Sequence, residues 1–373
     1  MNETRRFHEL DALRFLAALA VVFLHYGVRG FADGDNLSPI RMEYLAHLVK
    51  YNYLAVNLFF MISGFVILMT AQSNSVIKFV KSRIVRLYPA LWISCTLTFI
   101  AISFFMADKI ATSWPRYFAN LTMFNGFVGI GGIDGPYWSL YVEMKFYVLV
   151  GLLIASGNLR RVEMFMAGWL LISILNYRYP SAVVEYIFIP KYASYFIAGC
   201  TLFLLGKSRN KAFNYFLLIC SFIVGLMYDA DVLLEKSLWY KFHFSVIALI
   251  VILMAFYSFF LFIVFTKGEW IRPSWAAAFG VGGSISYPLY LLHNGIGLSI
   301  ISLIYPYFQP LVVLGVTVVA VIFLSWLVHR WGERPLAKWL RDKLLLLEQR
   351  SELAFRKFQR KPDVDDVADP VIK

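Results

Sequence analysis

The sequence predicts an all-α integral membrane protein, a bundle of about ten transmembrane helices. Three observations predict it. The 373 residues are 60% hydrophobic and 18% aromatic, with a mean hydropathy of +0.66, which is outside the range of a soluble globular domain. Apolar segments of about 20 residues recur from near the start to about residue 330. The Lys and Arg residues are sorted between alternate loops, as insertion into a bilayer demands.

The spans fall at about 10–28, 53–71, 88–107, 137–155, 163–176, 190–206, 212–228, 242–266, 283–305 and 309–329. Backbone groups in lipid must be paired internally, and segments near 20 residues suit helices, whereas barrel strands run to about 10 with alternating polarity. With the N-terminus inside, 24 of the 35 basic residues lie on the cytoplasmic side, 8 on the other, and Arg14, Lys145 and Lys191 within spans. Both termini are therefore expected in the cytoplasm, and the multi-pass protein in a bacterial inner membrane. Topology accounts for the net charge of +12, which removes it as a sign of nucleic acid binding. The first apolar stretch is expected to stay as a helix, because Asp11 and Arg14 interrupt it and no small-x-small cleavage site follows. Cys95, Cys200 and Cys220 fall in apolar spans, a pattern of neither a disulfide framework nor a metal site. The expected organisation is one membrane domain over 1–340, then a basic tail over 341–373, partly amphipathic and then disordered.

Ionisable groups inside spans cost about 2.5–3.5 kcal/mol at the helix centre, which makes them functional candidates. The first span, LDALRFLAALAVVFLHYG, carries Asp11, Arg14 and His25. Eleven residues separate Arg14 from His25, so the two share a face about 16 Å apart along the axis. Asp11 lies one turn before Arg14 and can pair with it. The plain alternative is an interfacial Asp11–Arg14 pair, with His25 reaching the outer headgroups. Against it, the fourth span, PYWSLYVEMKFYVLV, enters from the outside and places Glu143 at a depth similar to His25, a plausible orienter for a histidine base. Lys145 faces elsewhere and suits snorkelling. In KFVKSRIVRLYP, Arg83 and Arg86 lie three apart on the cytoplasmic side; they read either as topology-setting charge or as a fork for nucleotide phosphates. His293, in SISYPLYLLHN, is either a helix-to-helix hydrogen bond or part of the site. His329 and Glu333, in HRWGERP, read as interfacial anchors and a helix stop.

Taken in order, these motifs identify a resemblance. The opening helix with Arg14 and His25, FFMISGF at 59–65, Arg83 and Arg86, WSLYVE with FY at 138–147, SYPLYLLH at 286–293 and the terminal ERP resemble the acyltransferase-3 family of bacterial membrane acyltransferases over about residues 7–340. The resemblance implies a ten-helix domain that takes acyl groups, usually acetyl, from cytoplasmic acyl-CoA and passes them to envelope or exported carbohydrates. Acetyl-CoA would be a cosubstrate, and no cofactor would be permanently bound. By resemblance, Arg14 and His25 are the essential first-helix pair, Arg83 and Arg86 contact acyl-CoA, and Glu143 is an acidic residue of the core. Asp11, Trp138 and His293 are candidate substrate contacts. The expected chemistry has His25, oriented by Glu143, deprotonating the acceptor hydroxyl, with an acyl-enzyme through His25 as a variant. A secondary transporter, or a translocator handing the acyl group to a partner protein, is the competing reading. The acceptor and the oligomeric state are left open.

Overall fold

The structure is a computed structural model, which describes residues 7–29, 37–71, 75–207, 210–266, 268 and 270–359. It is an all-helical membrane bundle, 85% helix, with no strands among the described residues. Ten main helices follow the expected spans: α1 (His8–Val28), α2 (Ala55–Ala71), α3 (Val76–Phe105), α4 (Trp138–Ala155), α5 (Val162–Arg178), α6 (Pro190–Leu205), α7 (Lys211–Tyr240), α8 (Val246–Phe265), α9 (Pro273–Ile304) and α10 (Pro310–Leu327). Nine helical segments among the described residues are long and apolar enough to cross a membrane. The expected fifth span, α5, lies outside those nine. It is a 17-residue helix, pinned where Trp169 Nε1 donates to the Phe188 carbonyl at 2.7 Å.

The solvent for this fold is lipid. Helices α8 and α10 present Ile247, Val251, Leu311 and Val319 outward, as expected where apolar side chains face hydrocarbon. Helices in lipid gain little from hydrophobic association and rely on close packing of small residues. The α2–α6 crossing shows this. A methyl group on Gly64 would overlap the Phe196 carbonyl oxygen, and one on Gly199 the Met61 carbonyl oxygen. The glycine of FFMISGF is thus what lets two backbones touch. Helix α9 approaches α1 by the same means, since a methyl on Gly283 would overlap Asp11.

Two faces of the bundle are tied by polar contacts. On one, Glu9 at the start of α1 accepts from the Trp270 and Ile271 backbone N–H groups at 3.0 and 3.1 Å. The starts of α3 and α9 and the end of α10 lie on this side, called here the basic face. On the opposite face, Lys50 donates to the His243 carbonyl at 2.6 Å. Helix α3, at 30 residues, is about 45 Å long, against a hydrocarbon core of about 30 Å, and so carries Arg83 and Arg86 to the rim of the basic face.

The expected stop after the last span is not what the chain does. A π-helical turn, Val328–Glu333, joins α10 directly to α11 (Arg334–Gln359). The Gly-Glu-Arg-Pro sequence is accommodated because the wider turn absorbs the proline at the start of α11, where its missing N–H costs little. The expected domain boundary at residue 340 therefore falls inside α11, and residues 360–373 of the tail lie outside the described residues.

Candidate active site

A cavity of about 740 Å³ opens between α1, α2, α3, α4, α9 and α11. Its wall on α2 runs from Val56 to Ile67, eleven residues or about 16 Å of helix. Arg14, Ser63, Glu143, Tyr147 and Tyr290 line the interior, and Lys81, Arg83, Arg86, Glu333 and Arg341 line the end nearest the basic face.

The mouth owes its form to charge pairing. Arg86 reaches Glu333 Oε1 at 3.4 Å, and the other Glu333 oxygen meets His329 Nδ1 at 2.7 Å. Lys81 pairs with Glu348 of α11 at 2.7 Å. Arg83 donates from Nε to Ser82 at 3.2 Å, with its guanidinium over the Phe79 ring. Among the described residues neither Arg83 nor Arg341 faces a carboxylate at ion-pair distance. Deeper in, Arg14 lies 3.7 Å from Asp11. Glu143 Oε1 accepts from both Ser63 Oγ and Tyr147 OH at 2.5 Å, so one carboxylate oxygen joins α2 to α4.

Beyond the inner end of the cavity lies a histidine pair. The His25 and His293 rings meet edge to face with centroids 5.0 Å apart. Tyr290 forms the boundary: it lines the cavity, its ring contacts Phe59 at 5.6 Å and His293 at 5.8 Å, and its hydroxyl meets Ser139 at 2.7 Å. His293 is fully buried. Its Nδ1 lies 2.8 Å from the Tyr290 carbonyl, which assigns the ring proton to Nδ1 and leaves a lone pair on Nε2. That Nε2 has no hydrogen-bond partner among the described residues. His25 is half-buried, and its Nδ1 accepts from Arg29 Nε at a long 3.3 Å, so a neutral His25 ring carries its proton on Nε2.

A clasp holds this end. Asp134 accepts from the Asn294 side chain and from the Gly295 and Gly135 backbone N–H groups, both at 2.7 Å. Burial pushes its carboxyl above the ordinary carboxylate range, and those donors offset the rise only in part. The clasp fixes the loop before α4 to α9 one residue beyond His293.

Comparison with known proteins decides the family, because the acyltransferase domain matches residues 7–330. The chain belongs to the acyltransferase-3 family. It is 28% identical over 174 residues to the acyltransferase MdmB of Streptomyces mycarofaciens, covering 44% of each chain. An O-acetyl transferase of Shigella phage Sf6 is 27% identical over 39% of this chain and 45% of its own. Nodulation protein 10 of Rhizobium leguminosarum bv. viciae is 28% identical over 39% and 44%. The matches span less than half the length of these curated relatives. No solved structure matches the chain.

Within this acyltransferase-3 chain, the expected residues divide into two groups. Asp11, Arg14, Arg83, Arg86 and Glu143 all line one cavity. His25 and His293 adjoin each other past its inner end. Glu143 does not orient His25: its hydrogen bonds go to Ser63 and Tyr147, and the ring beside His25 belongs to His293. Trp138, the first residue of α4, packs on Tyr192 and Phe60 and is not part of the cavity wall. Glu333 is a buried partner of Arg86 rather than an interfacial anchor. Sequence reasoning missed Ser63, Tyr147 and Tyr290, although all three stand inside the motifs quoted, because uncharged hydroxyls do not stand out in an apolar run. It also missed Asp134, which lies just before a span, and Arg341, one basic residue among many in the tail.

Proposed function

We propose that this chain transfers an acyl group, most readily acetyl, from acyl-CoA in the cytoplasm to a hydroxyl of an envelope or exported carbohydrate, from the bacterial inner membrane. The observation that carries the reading is the cavity, which joins a basic mouth to a charged interior and ends one helical turn from the His25–His293 pair. The phosphates of CoA would lie at Arg83 and Arg86. An extended pantetheine arm of about a dozen bonds spans roughly 15–20 Å, which suits the roughly 16 Å of cavity wall along α2. Arg14 would lie beside the arm, and the thioester would reach the Tyr290 boundary.

In the transfer step His25 is the general base. The acceptor hydroxyl replaces the long Arg29 contact on His25 Nδ1 and gives up its proton there as its oxygen attacks the thioester carbonyl. A C–O ester bond forms, the C–S bond breaks, and the departing thiolate takes the proton from the His25 imidazolium. His293, with an unpartnered Nε2 lone pair beside this ring, is the neighbour able to stabilise that imidazolium. Glu143, bonded to two hydroxyls inside the cavity, organises the wall along which the arm lies.

The test uses purified protein in detergent with radiolabelled acetyl-CoA, together with mass analysis of envelope glycans from a deletion strain. The reading expects saturable acetyl-CoA binding and loss of specific O-acetyl groups from the deletion strain. A protein that binds no acetyl-CoA, or a strain whose glycans keep every acetyl group, would sink it.

A further inference from the structure

The family match ends at residue 330, yet one wall of the cavity lies beyond it. Ala337, Arg341, Leu344 and Leu345 of α11 all line the cavity. Their spacing of i, i+4, i+7 and i+8 puts them on one helical face. Trp339, Leu346 and Leu347 are exposed on the rest of the helix, which suits contact with the membrane interface. Helix α11 thus has two roles in one sequence: an outer surface for lipid and an inner face that forms part of the cavity.

Two contacts hold that inner face in place. Glu348 pairs with Lys81, and the buried Glu333, just before α11, pairs with Arg86. Both contacts also neutralise a cation of the mouth. The residual positive charge therefore rests on Arg83 and Arg341, which face no carboxylate at ion-pair distance among the described residues. Two guanidiniums from different helices lining one cavity, neither with a carboxylate at ion-pair distance among the described residues, are suited to a ligand carrying more than one phosphate.

We infer that Arg341 binds the phosphates of the acyl donor, so that α11 completes a donor site otherwise built from α3. This rests on the acyl-CoA reading above. The same chemistry would suit the phosphate of a lipid headgroup, and the test separates the two.

Binding of CoA and of adenosine 3′,5′-bisphosphate to the purified full-length chain would be measured by calorimetry in an uncharged maltoside detergent, with no lipid phosphate present. In Arg341→Ala, affinity for both should fall about 3- to 30-fold, the range of one charge-assisted contact at a partly open site. Arg341→Lys should recover part of the loss, because it restores the charge without the fork. Pantetheine, which has no phosphate, serves as the fold control. Equal CoA affinity in wild type and Arg341→Ala would overturn the inference, as would a loss that extends to pantetheine. So would a defect confined to vesicles of anionic lipid, which would make Arg341 a headgroup ligand. Wild-type protein that binds no CoA would remove the donor reading itself, and this inference with it.

Discussion

Replacing His25 with alanine tests the chemistry most directly. The structure separates its effects on binding and on reaction. The cavity is lined on α1 by Asp11 and Arg14, and His25 lies eleven residues past Arg14, about 16 Å along the helix. The proposed phosphate contacts at Arg83 and Arg86 line the cavity, which His25 does not, so truncating the imidazole should leave CoA affinity within about twofold. Loss of a general base typically costs about 10²–10⁴ in rate, or roughly 3–5.5 kcal/mol of transition-state stabilisation. The truncation also leaves a gap beside His293, which is already fully buried with an unpartnered Nε2; water can enter that gap and satisfy it. His25→Gln should be no better than alanine, because an amide can accept the Arg29 hydrogen bond but cannot carry the proton. The assay is single-turnover release of CoA from radiolabelled acetyl-CoA, with CoA binding by calorimetry on the same preparation. A folded His25→Ala protein that turns over near the wild-type rate would remove His25 from the chemistry and leave it as an anchor for Arg29.

Three further outcomes follow from the same geometry. Changing Arg83 and Arg86 together to lysine keeps the charge that sets topology but loses the planar fork, so insertion should be normal while CoA affinity falls about tenfold; wild-type affinity would mean that charge alone suffices. Gly199→Ala should lower stability by about 1–3 kcal/mol, because its methyl overlaps the Met61 carbonyl oxygen and helices α2 and α6 must part to admit it; an unchanged melting temperature in detergent would contradict that packing. A single cysteine at the exposed Asn158 should be shielded from an impermeant thiol reagent in intact cells while one at the exposed Asp108 is labelled, and the reverse pattern would put the arginine mouth on the wrong side for a cytoplasmic donor.

The helices were legible because a bilayer imposes one length and one polarity on every span, and Arg14 and Glu143 drew notice because charge in such a span is costly. Arg83 and Arg86 were read outside the spans, from their spacing and the family resemblance; all four line the cavity. The spacing of Asp11 and Arg14 also foretold their proximity, a contact within one helix. What could not be read were contacts between helices. Glu143 and His25 were expected at similar depths, but Glu143 bonds Ser63 and Tyr147 inside the cavity, while His25 lies past its inner end, where α9 supplies His293 instead. The cavity-lining face of α11 went unread for a related reason, since an amphipathic basic pattern suits a membrane surface and a cavity wall equally well.

These inter-helix contacts also explain how a site is kept in register where hydrophobic association contributes little. Helix α9 carries both Tyr290 and His293 and contains Pro288, which removes one backbone hydrogen bond from the middle of the helix. Left alone, such a helix would be free to bend between the cavity and the histidine pair, where the proposed donor arm would end. It is fixed on both sides of the proline. Toward the basic face, Gly283 is pressed against Asp11 of α1, and the segment leading into α9 is held by Glu9 through Trp270 and Ile271. Toward the opposite face, Asp134 holds Asn294 and Gly295. The two fixed points, Gly283 and Asn294, are about 16 Å apart along the helix, the same length as the cavity wall on α2. Between them the Tyr26 hydroxyl donates to the His293 carbonyl at 2.6 Å, so the helix that carries His25 also sets the height of His293. The two histidines are thereby positioned relative to each other by α1 itself.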